Sequence, residues 1–291
     1  MMSIYLLSKA LRAVRVLFGA SVLCALSVIG SGTEKAKAAD TLTISGDPVQ
    51  GALLYGQTTP GSRVRVNDIP VKVTDDGSFL VGIHRDETGT ITVAATDGAG
   101  SMETQTISIR EREYDIQRIN GLPSKMVTPS DAALKRIRAD QAAIKKVRKI
   151  NRPEADFRSG FIWPVKGTIT GIFGSQRVLN GQPRQPHYGI DIAAPTGTPV
   201  VSPADGVVVM AHPGMYFSGL TMVIDHGHGL QSAMLHLHTM DVKEGDVVRQ
   251  GQRIGTLGAT GRATGPHLDW RVNLGGKRVD AAFLVPPMPK N

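Results

Sequence analysis

The stretch TGPHLDWRV at 264–272 places an imidazole and a carboxylate two positions apart, between a Gly-Pro turn and a tryptophan. Residues i and i+2 of a β-strand leave the same face, so His267 and Asp269 would point in the same direction. Such a pair is either ordinary polar surface or half of a metal site. Other parts of the chain have to decide between these interpretations.

Two further pairs have spacings that put both side chains on one face of a strand. His187 and Asp191 are four apart in HYGIDI, where Gly189 between them leaves room for close approach. His236 and His238 are two apart in MLHLH. Seven of the eight histidines of the chain lie between residues 187 and 267. One such pair would arise by chance, but three pairs bracketed by glycine turns indicate a site.

Not every residue with suitable chemistry is a candidate ligand. Cys24, the only cysteine, lies in an N-terminal segment that we expect to be removed, which excludes disulfides, thiolate ligands and a cysteine nucleophile. His226 and His228, in DHGHG, are expected to shape a turn between strands. The remaining nitrogen and oxygen ligands suit zinc, and an open catalytic zinc site needs only three protein ligands plus water.

Three ordered stretches resemble the lysostaphin and LytM-type zinc metallopeptidases, which cut peptide cross-links in bacterial peptidoglycan. The stretches are HYGIDIAAPTGTPV (187–200), MLHL (234–237) and GDVVRQGQRIGTLGATGRATGPHL (245–268). The resemblance extends over roughly residues 160–284 and implies the duplicated-hybrid-motif fold of that family. It also implies that His187 and Asp191 are ligands of one zinc ion and that His236 and His267 are the catalytic histidines.

The third ligand departs from the family pattern. Relatives use the second histidine of an H-x-H pair, and Asp269 occupies that position here. Because a carboxylate is a competent zinc ligand, we expect a working but altered site that also accepts manganese or cobalt. The second anion would neutralise the dication and weaken its pull on bound water. The alternative is that Asp269 only hydrogen-bonds nearby backbone and the site holds no metal.

A second departure precedes His187. Many relatives have an upstream tyrosine that stabilises the developing oxyanion, whereas SQRVLNGQPRQP (175–186) contains no aromatic residue. Arg177 or Arg184 would supply the positive charge instead, or would contact an anionic stem peptide. We therefore predict that these two arginines bind substrate.

The N-terminal segment predicts export. Basic residues precede the apolar run VLFGASVLCALSVIG (16–30), and Ala36 and Ala38 give an A-x-A pattern, which is typical of a secretory signal peptide over residues 1–38. An uncleaved N-terminal anchor is the alternative. After cleavage we expect a protein of the periplasm or cell envelope without a membrane span. Residues 1–38 carry +4 of the formal net charge of +8, so the modest remaining charge argues against nucleic acid as a partner and suits an anionic cell wall.

The rest of the chain divides into segments with different patterns, and the fold class we predict is mainly β. The predicted segments are an immunoglobulin-like β-sandwich (40–112), a basic helical connector (113–159), a glycine-rich antiparallel β catalytic domain (160–285) and a tail (286–291). The catalytic segment is distinguished by its glycine turns, since 20 of the 33 glycines lie between 160 and 291.

The connector predicts a helix over 128–150, with Thr128 as its N-cap and Pro129 at its first position. Its many lysines and arginines leave two interpretations. One is an arm that binds an anionic polymer, and the other, which we prefer, is a solvated helix packed on a neighbouring domain by one apolar stripe.

These observations predict an exported zinc endopeptidase that hydrolyses peptidoglycan stem-peptide cross-links with metal-activated water. Zinc would be held by His187, Asp191 and Asp269, while His267 accepts a proton and His236 stabilises the intermediate or protonates the leaving amine, or the reverse. The alternative is a non-catalytic relative that binds the wall or activates other hydrolases. Its partners would be cell-wall hydrolases or divisome proteins.

Overall fold

The computed structural model describes residues 41–120 and 130–289. Within these residues the chain is mainly β with one α-helix, which confirms the predicted fold class. The predicted signal peptide, the predicted helix cap Thr128 and the last two residues of the tail lie outside them. None of the described helices is both long and apolar enough to span a membrane.

The N-terminal part consists of two packed antiparallel sheets. Its strands are β1 (Thr43–Ser45), β2 (Leu53–Gln57), β3 (Arg63–Val66), β4 (Ile69–Val71), β5 (Ser78–Gly82), β6 (Thr90–Thr96) and β7 (Met102–Ser108). They are ordered β1-β2-β5 and β4-β3-β6-β7. Side chains from both sheets, among them Leu54, Phe79 and Ile91, are buried in one apolar core. The alternating pattern predicts such an arrangement, and the immunoglobulin-like assignment stays a prediction.

The connector contributes a strand and a helix. Strand β8 (Ile116–Ile119) is followed by helix α1 (Asp131–Val147). Its N-cap is Ser130, whose hydroxyl accepts a hydrogen bond from the Ala133 N–H at 3.3 Å, so the prediction of Thr128 as the cap is wrong by two residues. The apolar stripe of α1 is buried through Ile137 and Val147. Val147 packs in a cluster with Met210, Met215, Val223, Ala233 and Leu235. This packing is the arrangement that we preferred for the basic helix.

The C-terminal part is built on a large sheet. Its strands are β9 (Thr168–Gly171), β10 (Gln176–Leu179), β11 (Gln182–Pro183), β12 (Ile190–Ala193), β13 (Pro199–Val201), β14 (Gly206–Met215), β15 (Gly219–Asp225), β16 (Leu230–Met240), β17 (Val247–Val248), β18 (Arg253–Leu257), β19 (His267–Leu274) and β20 (Lys277–Val279). Two short 3-10 helices span Asp156–Ser159 and Ala281–Leu284. The main path of the sheet runs β17-β14-β15-β16-β19-β12-β9, and β10 lies in a small separate sheet between β11 and β8.

The two faces of the large sheet are covered differently. One face is buried in a core that includes Ile192, Met234 and Trp270, all with no exposed surface. The opposite face carries Ala233 and Leu235, over which α1 packs. Because alternate residues of a strand point to opposite faces, β16 buries both faces at this point.

The DHGHG turn is held by its own buried histidine. The ring of His226 uses both nitrogens within the protein, with Nδ1 2.6 Å from the Asp205 carbonyl and Nε2 2.9 Å from the Ser232 hydroxyl. Burial lowers the pKa of His226 to about 4, so the ring is neutral at pH 7. Gly227 has no room for a side chain, since a Cβ there would lie 1.6 Å from the Glu154 carbonyl oxygen. His226 thus shapes the turn, as its sequence context predicts.

Asp225, beside this turn, gives a testable dependence of stability on pH. Its side chain is fully buried, its oxygens make no hydrogen bond within normal limits, and Arg152 Nη1 lies 3.5 Å from Oδ2. Burial raises the pKa of Asp225 to about 6, against the opposing effect of Arg152. A carboxyl group whose pKa is higher in the folded state stabilises the fold fully below its unfolded pKa, and this contribution is lost as the pH rises through 6.

We therefore expect Asp225→Asn, which does not titrate, to gain stability relative to the parent between pH 4 and pH 7.5. The change should be about 2 kcal/mol in the difference between their free energies of unfolding. Urea unfolding of both proteins at the two pH values measures it. A difference that does not vary with pH would show that Asp225 ionises normally.

Candidate metal centre

The candidate residues come together because three strands pair in a fixed register. Asp191 on β12 lies directly opposite Asp269 on β19, and Asp269 also pairs with Leu235 on β16. The residues immediately before and after each aspartate in sequence, Ile190, Ile192, Leu268 and Trp270, are buried in the core. The pleat therefore turns Asp191, His267, Asp269 and Arg271 to the opposite face of the sheet.

His187 completes a three-residue cluster with the two carboxylates. It lies just before β12, where its backbone N–H donates to the Ser175 carbonyl and its own carbonyl accepts from the Gly174 N–H, both at 2.8 Å. One ligand atom from each of His187, Asp191 and Asp269 lies within 4.8 Å of the others. Residues from β12, β19 and the preceding loop thus converge at one point.

Two atoms of this cluster have no hydrogen-bond partner although they are buried. They are His187 Nε2 and Asp191 Oδ1, which lie 3.2 Å apart, within ion-pair distance of each other but without the geometry of a hydrogen bond. Two ligands on a tetrahedral zinc ion with bonds near 2.0 Å are separated by about 3.3 Å. Buried polar atoms are rarely left unpaired, so the spacing and the missing partners fit a metal ion at this point.

His236 and His267 lie next to the cluster, with their ring centroids 4.7 Å apart. Nδ1 of His236 is 2.7 Å from the Thr260 carbonyl, and Nδ1 of His267 is 2.9 Å from the Gly265 carbonyl. A carbonyl only accepts, so each Nδ1 carries the proton and each Nε2 keeps its lone pair. His267 Nε2 lies 3.8 Å from Asp191 Oδ1, which aims it toward the cluster.

His236 is held in an uncommon backbone conformation. Its φ is +64°, in the left-handed region, and it lies between Met234 and Leu237, where the pairing of β16 with β15 shifts register. Its N–H donates to the Ser218 carbonyl at 2.8 Å, outside the ladder with β19. Residues other than glycine with positive φ are uncommon and often mark functional positions. The strand therefore leaves its regular path at the predicted catalytic residue.

Asp269 has a close partner on its own strand. The guanidinium of Arg271 donates to both carboxylate oxygens, from Nε at 3.0 Å to each and from Nη2 to Oδ2 at 2.6 Å. Only 3% of the Asp269 side chain and 27% of the Arg271 side chain are exposed. The alternative that Asp269 bonds only backbone does not match this geometry, because its partner is a side chain.

Two glycines make room for the carboxylates. A Cβ on Gly189 would lie 2.1 Å from Asp269 Oδ1 and 2.7 Å from Arg271 Cγ. A Cβ on Gly171 would lie 2.2 Å from Asp191 Oδ2. Contacts this short do not occur for real Cβ atoms, so a side chain at either position would displace the neighbouring carboxylate. The close approach expected at Gly189 from the sequence is thus present, and its neighbours are Asp269 and Arg271.

The charges of the cluster lower the pKa of Asp269 and raise the pKa of His187. Burial raises the pKa of Asp269, but the charge and hydrogen bonds of Arg271 outweigh it, so that the pKa is lowered and the group is ionised. Burial lowers the pKa of His187, but the facing Asp191 and Asp269 raise it overall. Burial lowers the pKa of His236, which keeps this ring neutral at pH 7. His236 is therefore ready to accept a proton.

Arg177 and Arg184 lie on the hairpin before His187. Arg177, on β10, donates from Nε to Gln117 Oε1 at 3.4 Å, and the Arg184 N–H donates to the Arg177 carbonyl at 2.9 Å. Their role in substrate binding stays a prediction.

Sequence reasoning missed Arg271 as a part of the site. The signal was present, because Arg271 follows Asp269 by two positions on a strand and must leave the same face.

Comparison with known proteins shows that the chain is similar to peptidases. A crystal structure from Pseudomonas aeruginosa, described as a putative peptidase M23, is 30% identical and superposes with a TM-score of 0.64, covering 82% of this chain and 95% of that one. Two Vibrio cholerae proteins, the peptidoglycan DD-endopeptidases ShyA and ShyB, are 47% identical over 105 residues and 38% identical over 159 residues.

The curated relatives are longer than the region they share with this chain. The match covers 35% of this chain and 24% of ShyA, and 52% of this chain and 34% of ShyB. The matching family description, peptidase family M23, covers residues 185–281, which contain all five residues predicted to bind metal or to act in catalysis. With the Pseudomonas aeruginosa relative matched over nearly its whole length, the chain belongs to peptidase family M23.

Proposed function

We propose that this protein is an exported zinc endopeptidase that hydrolyses peptide cross-links of bacterial peptidoglycan. The observation that carries the proposal is the pair of buried, unpartnered ligand atoms, His187 Nε2 and Asp191 Oδ1, which face Asp269 beside two histidines. The names of ShyA and ShyB support peptidoglycan as the substrate. The predicted signal peptide supports a location in the periplasm or cell envelope.

His187, Asp191 and Asp269 would hold one zinc ion. When bound, zinc supplies a Lewis acid that polarises the scissile carbonyl and lowers the pKa of water. The protein supplies the proton transfers. His267 has an Nε2 lone pair directed at the cluster and would accept the proton of the attacking water. That proton would then pass to the leaving amine, directly from His267 or by way of His236, whose own proton is held on Nδ1 by the Thr260 carbonyl. Once it has taken up the proton, His236 would also stabilise charge on the substrate.

Substrate recognition would fall to the cationic side chains around the cluster. Stem peptides carry carboxylates, and guanidinium groups bind carboxylates with two parallel hydrogen bonds. Arg177 and Arg184, on the hairpin that leads to His187, are the substrate-binding residues that we propose. Their exchange for glutamine should raise KM more than it lowers kcat.

One observation favours a second function. Both oxygens of Asp269 already accept hydrogen bonds from Arg271, so a metal ion must share this carboxylate with a cation. If Arg271 keeps the Asp269 carboxylate and no metal ion binds, the protein would be a non-catalytic wall-binding protein or an activator of other hydrolases. Zinc analysis of the purified protein, followed by digestion of isolated peptidoglycan with mass spectrometry of the products, separates the two. A metal-free protein that releases no peptide fragments would rule out the endopeptidase and leave the second function.

Separate exchange of the two histidines tests the proposed catalytic roles. His267→Ala and His236→Ala should each lower turnover by about a hundredfold or more, the usual contribution of a general acid or base. Zinc content should stay near that of the parent, because neither residue is a predicted ligand. Release of soluble fragments from peptidoglycan and zinc analysis give the two readouts.

His238→Ala is the matched control for these variants, because His238 lies on the same strand but is exposed. It should keep parental turnover. Full turnover in His267→Ala would remove that residue from the mechanism.

Gly189→Ala tests the geometry of the third ligand. The added methyl group would collide with Asp269 Oδ1, so we expect loss of zinc binding in a protein that keeps its β-rich circular dichroism spectrum. Gly276→Ala is the control, since a Cβ there meets nothing within 4 Å. Equal zinc content in the two variants would show that Asp269 is not needed to hold the metal.

A further inference from the structure

We propose that Arg271 is a positioning residue that converts Asp269 into the equivalent of a neutral third ligand, so that the two residues act as one unit toward the metal. This inference rests on the proposed function and deepens it. It goes beyond the ligand assignment, because it states that the aspartate is tolerated only together with its arginine.

The register of the sheet creates the need for a cation. Asp191 and Asp269 are directly opposite on β12 and β19, and like charges in this arrangement destabilise a sheet. Both side chains also lie close to a single point, so their repulsion is poorly screened by water. Arg271, on the same face as Asp269, supplies one positive charge at this point.

The charge balance then matches that of a site with a single carboxylate. Asp191 and Asp269 contribute two negative charges and Arg271 returns one positive charge, which leaves the protein groups with a net charge of −1 around the metal. A set of two neutral histidines and one aspartate has the same net charge. The loss of metal acidity expected from the second anion is therefore offset by Arg271.

The geometry also leaves the carboxylate able to bind a metal. An ionised carboxylate has about four acceptor positions on its two oxygens. Arg271 approaches through Nε and Nη2 and occupies only part of them. The absence of a side chain at Gly189 lets the paired groups lie against β12, which fixes their position next to Asp191.

Arg271 has neighbours of its own sign, which makes Asp269 indispensable to it. Burial and Arg271 lower the pKa of Arg148 to about 10, and burial with Arg148 and Arg271 lowers the pKa of Arg278 to about 9. Within the described part of the chain, neither Arg148 nor Arg278 has a carboxylate within ion-pair distance. Replacing Asp269 with a neutral residue would thus leave Arg271 to interact with two other guanidinium groups without its own carboxylate partner.

The consequence is an unusual expectation for the substitution that restores the family pattern. Asp269→His alone should bind zinc about ten- to a hundredfold more weakly than the parent, although it provides the usual ligand. Arg271→Met alone should weaken binding about tenfold, because the buried carboxylate loses the donors that orient it. The double variant Asp269→His/Arg271→Met should recover binding to within a few-fold of the parent.

Zinc affinity of the full chain, measured by competition with a chromogenic chelator, gives these numbers. The absorption spectrum of the cobalt-loaded protein reports the coordination geometry directly. If Arg271 had a purely structural role, this spectrum would be the same in the parent and in the Arg271 variants. Arg271→Lys keeps the charge without the planar fork. It should retain part of the affinity and shift the cobalt spectrum.

The Arg112–Asp280 pair provides a matched control. Its atoms are 2.9 Å apart, and its side chains have similar exposure, 24% and 5%, but neither residue is in the metal cluster. Arg112→Met, Asp280→His and their double variant should lower stability and leave zinc affinity unchanged. A loss of zinc in these variants would mean that the effect at Arg271 is only general destabilisation, and would overturn the inference.

The outcomes distinguish this inference from the proposed function. If the parent binds zinc and digests peptidoglycan, but Asp269→His binds zinc as tightly as the double variant, the residues are independent and the inference is wrong while the function stands. If the parent binds no zinc, the proposed function fails, and the inference fails with it. If both single variants bind zinc weakly and the double variant recovers the affinity, Asp269 and Arg271 act as one unit toward the metal.

Discussion

The site depends on two carboxylates that the sheet holds face to face. Asp191 and Asp269 are directly opposite in the β12–β19 ladder, with buried apolar residues on either side of each. The strands cannot slip to separate them, since a shift of one residue would turn Trp270 and Ile192 out of the core. The fold therefore forces negative charge together, and a cation has to be part of its stable arrangement.

Backbone carbonyl groups determine which atoms of the site are available for chemistry. Those of Thr260 and Gly265 fix the proton of each histidine on Nδ1 and leave both Nε2 atoms as bases. Because these acceptors belong to the loop between β18 and β19, the loop sets the tautomer of two histidines that lie on different strands. The side chains are thus oriented by groups that no sequence motif displays.

Much of this arrangement could be predicted from sequence, for physical reasons. Strand alternation places His267 and Asp269 on one face, and the spacing of His187 and Asp191 brings a second pair to them. What could not be predicted is contact between distant segments, such as the parallel pairing of β8 with β10 or the packing of α1 over Leu235. The positive φ of His236 arises from a change of pairing partner along β16, which a local pattern does not reveal. Arg271 lay within reach of the same alternation rule.

The packing of α1 changes where an autonomous catalytic unit would begin. The composition of the chain suggests a boundary near residue 160, yet α1 buries Met210, Met215 and Leu235 on the face of the sheet that also carries the metal cluster. A fragment that begins at residue 160 would expose this apolar surface to water, which promotes self-association. The smallest soluble form of the enzyme should instead begin no later than Ser130, so that it includes α1, which covers the apolar face of the sheet.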